Sequence, residues 1–272
     1  MMSHLYMDAY GDSYESPVFS NTTNLSRSSI NSPLIPEKLE VPDIRASVER
    51  PRLSSLLERS IANYTATLIS GRAGTGKTTA AAVCYRKKET PSWYSVTPTD
   101  LDWASFAQHF EASLRNDYQS PIASSNSVSS AKTHSSAIEA FLVECLKLTE
   151  CPDMVVIDDA HHLFETHWFA DFLTTLVRLI PESSHLLMTC RSRPPAPLWR
   201  LRSKQVLNVI DEKLLYFSAE ETEDLYSLLD IDLRLAFEHQ RLTFGHPQKL
   251  LELIAQDIAK PRQIPQVFVE TF

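Results

Sequence analysis

Between residues 66 and 210 short unbroken apolar runs alternate with longer stretches that carry a helical repeat. Residues 66–70, 92–96, 154–157, 185–189 and 205–210 form the short runs, which suit strands buried on both faces of a sheet. Residues 137–148 and 167–180 place apolar side chains on a helical period. Ser136 and Glu139 give the first of these the spacing of a capping box, in which two side chains satisfy the first free backbone donors. Ser218 and Glu221 repeat the signature, and from there to about Lys260 the pattern is helical. Strands alternating with helices predict an α/β fold, a parallel sheet covered by helices on both faces, followed by a small helical domain.

Polar stretches divide the chain. Residues 1–33 are rich in Ser, Asn and Thr without a sustained period, which predicts a flexible tail, because too little apolar surface is available to offset ordering entropy. Residues 119–136 hold eight serines in eighteen positions and read as a surface loop. The expected division is a tail to residue 33, a sheet domain over 34–212, a small helical domain over 213–260 and a second tail over 261–272.

Composition narrows the function classes. With a net charge of −8, the surface should repel nucleic acid and anionic membranes except where basic residues cluster. Cys84, Cys145, Cys151 and Cys190 form no CxxC pair, which fits reduced thiols. No apolar run approaches the ~20 residues that span a bilayer, and the N-terminus lacks a secretion pattern. The expectation is a soluble, cytoplasmic protein with no membrane partner.

The chain has five glycines, and Gly71, Gly74 and Gly76 follow directly on the first predicted strand. Gly71-Arg72-Ala73-Gly74-Thr75-Gly76-Lys77-Thr78 is the full G-x-x-x-x-G-K-T pattern between a strand and a helix. Backbone amides wrap a phosphate only where positive φ is cheap and side chains are absent, which selects glycine. The helix opening near Lys77 adds its positive N-terminal dipole, Lys77 reaches the β and γ phosphates, and the Thr78 hydroxyl is placed to ligate Mg²⁺. Thr79 extends the nucleotide-binding set. ATP or ADP with Mg²⁺ is the expected cofactor, and the fold expected is that of a P-loop NTPase.

Such a loop needs an acidic partner at the end of a neighbouring strand. Asp158 ends the third predicted strand and is assigned to Mg²⁺; Asp159 follows and is assigned to orient or deprotonate the attacking water, with helix capping as the alternative. His161 and His162 lack metal-ligand spacing, so a hydrogen-bonding role is favoured over a metal one. The fourth strand delivers Arg191 to the same sheet edge, where it is the candidate sensor of the γ phosphate, while Arg193, Arg200, Arg202 and Lys204 read as a solvated loop face. Cys190 reads as a small core residue. Phe244-Gly245-His246-Pro247 falls between helices, where a proline after glycine either caps an adenine ring or serves as a helix joint.

In order and spacing these segments resemble the nucleotide-binding region of the large ATP-dependent LuxR-type transcription activators, the maltose-regulon-activator type. That family belongs to the signal-transducing ATPases with numerous domains. The resemblance runs from about Leu34 to Leu253 and includes Ile35-Pro36-Glu37-Lys38-Leu39, Arg50-Pro51-Arg52-Leu53, Trp93-Tyr94-Ser95, Val156-Ile157-Asp158-Asp159-Ala160-His161, Arg191-Ser192-Arg193-Pro194-Pro195, Leu201-Arg202 and Gly245-His246-Pro247. It implies an ATPase of low turnover that toggles between an ADP form and a self-associating ATP form, with Pro247 against the base and Arg52 nearby. The family continues into a helical sensor region and a DNA-binding domain, whereas this chain ends at Phe272, so no sequence-specific DNA contact is expected from it. A nucleotide-binding scaffold without hydrolysis is the alternative reading.

Overall fold

The computed structural model describes residues 33–44, 48–115, 134–148, 151–192 and 195–259. Both expected tails, apart from Pro33, and most of the serine-rich stretch lie outside the described residues, as does Arg193.

Five parallel strands form the sheet: β1 (Ala66–Ser70), β2 (Pro91–Ser95), β3 (Met154–Asp158), β4 (His185–Cys190) and β5 (Leu207–Asp211), in the order β2-β3-β4-β1-β5. Every residue of β3 and β4 is buried, which is why these strands read as unbroken apolar runs rather than alternating ones. Alternate residues of β3 still separate by face. Val155 and Ile157 join one apolar core; Met154 and Val156 join the other.

Helices α1 (Pro51–Asn63) and α2 (Lys77–Tyr85) cover the second face through Leu53, Leu57 and Ala80 to Ala82. The first face carries α3 (Trp103–Arg115), α4 (His134–Leu148), α5 (Phe169–Leu179) and α6 (Ala196–Ser203), and its core is aromatic. Phe106 and Phe172 meet edge-on with ring centroids 4.8 Å apart, and Trp168 lies 4.7 Å from Phe106. At the lower edge of the sheet a buried polar chain replaces apolar packing. His185 Nδ1 faces the Tyr64 carbonyl at 2.9 Å and must donate to it, so Nε2 accepts from the Thr67 hydroxyl, also at 2.9 Å. Ser60 and Asn208 continue the chain, which closes it without a lone buried group at the imidazole.

Beyond β5, a 3-10 turn (Glu212–Leu215) leads into α7 (Ala219–Leu228), α8 (Leu233–Thr243) and α9 (Pro247–Ala259). These three helices share their own cluster of Leu225, Tyr226, Ala236, Leu250 and Ile254. Ser218 and Glu221 form the expected reciprocal capping box.

Three sequence expectations need correction. The helix expected to start after Ser136 begins at His134, which places Ser136 inside it; the Glu139 carboxylate is held by Arg178 of α5 at 2.7 Å rather than by its own N-terminus. Arg200 and Arg202 sit on a helix, not a loop, because Leu198 and Leu201 bury one face of α6; the cations themselves are exposed as expected. The last strand starts at Leu207, since Gln205 adopts a left-handed φ of 58° that ends pairing.

Candidate nucleotide-binding site

Strand β1 ends at Ser70 and α2 opens at Lys77, so the glycine-rich loop spans the gap at the C-terminal edge of the sheet, where ligands collect in such folds. Gly74 and Gly76 have φ of 76° and 85°. At Gly74 the requirement is double, because a Cβ there would lie 1.8 Å from Oε1 of Gln248 on α9.

Thr78 and Asp158 are brought together, but not across adjacent strands. The sequence placed the acid on a neighbour of the P-loop strand; β4 lies between β1 and β3. Thr189 of β4 bridges the separation. Its hydroxyl donates to Asp158 Oδ1 at 2.6 Å and accepts from the Asp159 amide at 2.9 Å. The Thr78 hydroxyl sits 3.1 Å from both Asp158 oxygens. Burial raises the Asp158 pKa above the ordinary carboxylate value, with neighbouring Asp159 adding to it, while the Thr189 and Thr78 bonds work against the shift. A buried carboxylate held by two hydroxyls therefore faces the loop with unmet demand for positive charge.

The other charged groups close around the same space. Lys77 is buried, which lowers its pKa, and its ammonium donates to the Arg72 carbonyl at 2.7 Å. Asp159 takes a left-handed conformation with φ of 53°, and its carboxylate meets Arg191 Nη2 at 2.8 Å. His161 Nδ1 lies 3.7 Å from Asp159 Oδ1; burial lowers its pKa, as does the adjacent His162, and no group of ligating side chains for a separate metal occurs among the described residues.

Helix α9 roofs this arrangement. A cavity of about 610 Å³ is lined by Gly74, Gly76, Lys77, Thr78, Thr79, Asp159 and Arg191 below and by Pro247, Gln248, Leu251 and Glu252 above. Ala73 lines it as well, whereas Arg72 turns outward to a second cavity. The Gln248 amide donates to the Gly74 carbonyl at 3.1 Å, which fixes α9 on the loop. Pro247 is thus a wall of the chamber over the P-loop. The second cavity, about 730 Å³, is bordered by Arg52, Arg72, Glu212, Tyr216 and His246. Arg52 is exposed at its border but not free. Its guanidinium donates to the Leu214 and Tyr216 carbonyls at 3.1 and 2.7 Å, which fixes the turn before α7. Beside it, Arg50 pairs with Glu221 at 3.0 Å and lies 4.2 Å over the Phe217 ring. Cys190 is fully buried in the core.

Sequence reasoning missed Thr189, Gln248, Glu252 and Glu212. Thr189 could have been found as the polar residue two positions before Arg191, after the apolar run Leu186 to Met188. Glu212 takes the Arg72 amide at 2.9 Å and its guanidinium at 3.0 Å, a pairing across 140 residues that no local pattern announces.

A five-stranded parallel sheet with a glycine loop after an inner strand, a buried acid two strands away and a helical roof defines a P-loop NTPase fold. Residues 61–192 match the AAA domain family. The HTH-type transcriptional regulator MalT of Yersinia enterocolitica is 30% identical over 196 residues, and that of Vibrio cholerae 27% over 198, each match covering 71% of this chain and 22% of the relative. The chain thus spans about a fifth of the length of these relatives. A signal transduction ATPase with numerous domains and a tetratricopeptide repeat sensor from Pyrococcus horikoshii shares the fold, with a TM-score of 0.54 and 20% identity over 76% of this chain and 29% of that one. Over the matched stretch the chain is similar to MalT, and its fold is that of a P-loop NTPase.

Proposed function

We propose that this chain binds ATP and ADP with Mg²⁺, hydrolyses ATP slowly, and uses the difference between the two bound forms as a conformational switch. The observation that carries this reading is the convergence of Lys77, Thr78, Asp159 and Arg191 on one chamber whose roof, α9, belongs to the separate helical cluster. A ligand in that chamber touches both parts of the protein, so it biases their arrangement wherever its contacts differ between them.

The residues suit the cofactor. The Thr78 hydroxyl and the buried Asp158 carboxylate are hard oxygen donors pointing at each other, the donor set Mg²⁺ prefers. Bound there, Mg²⁺ would neutralise charge on the β and γ phosphates. Lys77 would exchange the neutral Arg72 carbonyl for phosphate oxygens, a stronger charge-assisted bond. The amides of Gly74 to Thr78 would cradle the phosphates at the positive end of α2, with Thr79 at the rim. Asp159 orients or deprotonates water once its carboxylate is free of Arg191, and Arg191 pairs with the γ phosphate. The base would lie between Pro247 and the Arg52, Tyr216 and His246 side of the roof.

The output is a changed surface, met by a second copy or by a protein partner. Duplex DNA is an unsuitable direct partner for a chain of net charge −8. No helix among the described residues is long and apolar enough to cross a membrane. Light scattering of the full chain with ADP and with a non-hydrolysable ATP analogue tests the switch. A mass or shape that differs between the two supports it; nucleotide binding with identical behaviour leaves a scaffold.

A further inference from the structure

The roof of the phosphate chamber is not basic. Along α9 the residues that line the chamber are Pro247, Gln248, Leu251, Glu252 and Ala255, a single face at helical spacing. None of them carries positive charge, and one is a carboxylate. Its position is fixed through Gln248. That side chain lies against Gly74, and its Nε2 donates to Glu252 Oε1 at 2.9 Å, so one amide group separates the Glu252 carboxylate from the phosphate loop.

The charges lining the chamber nearly cancel: Lys77 and Arg191 are set against Asp159 and Glu252. The α and β phosphates have the loop amides and the α2 N-terminus as partners, and Lys77 reaches from the β to the γ phosphate. A third phosphate would extend toward the strand ends within the chamber that Asp159, Arg191 and Glu252 all line. Arg191 is a single cation for which Asp159 and an arriving γ phosphate compete, so it does not offset both, and Glu252 faces the added charge.

We propose that Glu252 is a specificity-determining residue that makes the roof discriminate between nucleoside di- and triphosphates. With a diphosphate, α9 stays on Gly74; with a triphosphate, like charge between the γ phosphate and Glu252 disfavours that position and drives α9 away from the loop. This rests on the proposed nucleotide site and supplies the differential contact that a switch requires. The carboxylate is exposed, so the effect is that of a screened pair rather than of a buried one.

The test is calorimetric titration of the full chain with ADP and with a non-hydrolysable ATP analogue, for wild type, Glu252→Gln and a control, Glu223→Gln, which removes an exposed carboxylate from α7 instead. Glu252→Gln keeps the bulk and can still meet Gln248. It should tighten the ATP analogue relative to ADP by about two- to five-fold, the size of an exposed charge interaction, and the gain should shrink as salt rises. Glu223→Gln should leave the ratio unchanged. A merely structural role for Glu252 would shift both nucleotides together and show no salt dependence, which overturns the proposal. An unchanged ratio in Glu252→Gln overturns it too while leaving the nucleotide site intact. If wild type binds neither nucleotide, the underlying site reading fails, and this inference with it.

Discussion

Arg191 engages both carboxylate oxygens of Asp159, with Nε 3.2 Å from Oδ1 and Nη2 2.8 Å from Oδ2. The two residues assigned to sensing the γ phosphate and to activating water thus occupy each other in this arrangement. A guanidinium cannot hold a carboxylate at two points and also pair fully with a phosphate, so an arriving γ phosphate and Asp159 compete for it.

Arg191→Ala should therefore weaken ATP more than ADP, by about 1 kcal/mol, or roughly five-fold, because the arginine is half-exposed and its contacts are screened. Titration with both nucleotides checks it. Equal weakening of the two would remove the sensor assignment.

Lys77 is almost wholly buried and already donates to a carbonyl, so its truncation removes a charge that nothing nearby replaces. Lys77→Ala is expected to lower nucleotide affinity by about 1.5 to 3 kcal/mol, the range for a charged hydrogen bond. A fluorescent ATP analogue reads this directly, and unchanged affinity would contradict the phosphate-cradle assignment.

The fold's response to acid has an identifiable contributor. Burial pushes the His185 pKa down from 6.5 to about 4, partly opposed by the Tyr64 carbonyl. Between those values the unfolded chain binds the proton and the folded one does not, so stability rises with pH across the window. The neutral imidazole's contribution is whole above pH ~6.5 and falls progretssively down to about pH 4, a loss of about 3 kcal/mol from this group. Urea midpoints measured across that window should show the decline, and His185→Gln should flatten it.

Gly245 joins α8 to α9 with φ of 76°, and a Cβ there would lie 2.1 Å from the Phe217 carbonyl oxygen. Both the conformation and the space exclude a side chain. Gly245→Ala should destabilise the helical region by about 1 to 3 kcal/mol, seen as a lower melting temperature in the variant. A melt that matches wild type would mean that the joint relaxes without cost.

Elements defined by local pattern were legible. The strands β3 and β4 are buried on both faces, so their apolar runs carry the signal undiluted, and the Ser218 cap depends only on residues three apart. That the glycine loop, Lys77, Thr78 and Asp158 meet at one sheet edge was legible because the G-x-x-x-x-G-K-T pattern fixes residue types at short spacing and an apolar run ends at the acid. What escaped depends on topology. The placement of β4 between β1 and β3 cannot be read from any one segment, and with it went Thr189, whose hydroxyl holds Asp158 and the Asp159 amide at the end of β3. The roof residues Gln248 and Glu252 were hidden for a related reason: they look like ordinary polar positions on an amphipathic helix until α9 is seated on Gly74. Arg52 borders the second cavity as well as holding the turn before α7, a pair of backbone contacts that no local pattern announces.

The central claim is that this site hydrolyses ATP, and phosphate release measures it most directly. Purified wild type at high protein concentration, with ATP and Mg²⁺, should release phosphate slowly but above background. Asp159→Asn keeps the shape of the side chain while removing the base, so it should bind ATP and leave it uncleaved. Release by wild type that does not exceed background would contradict the account and leave a nucleotide-binding protein without hydrolysis; equal release by wild type and Asp159→Asn would move the water-activating role away from Asp159, with His161, 3.7 Å from its carboxylate, next in position.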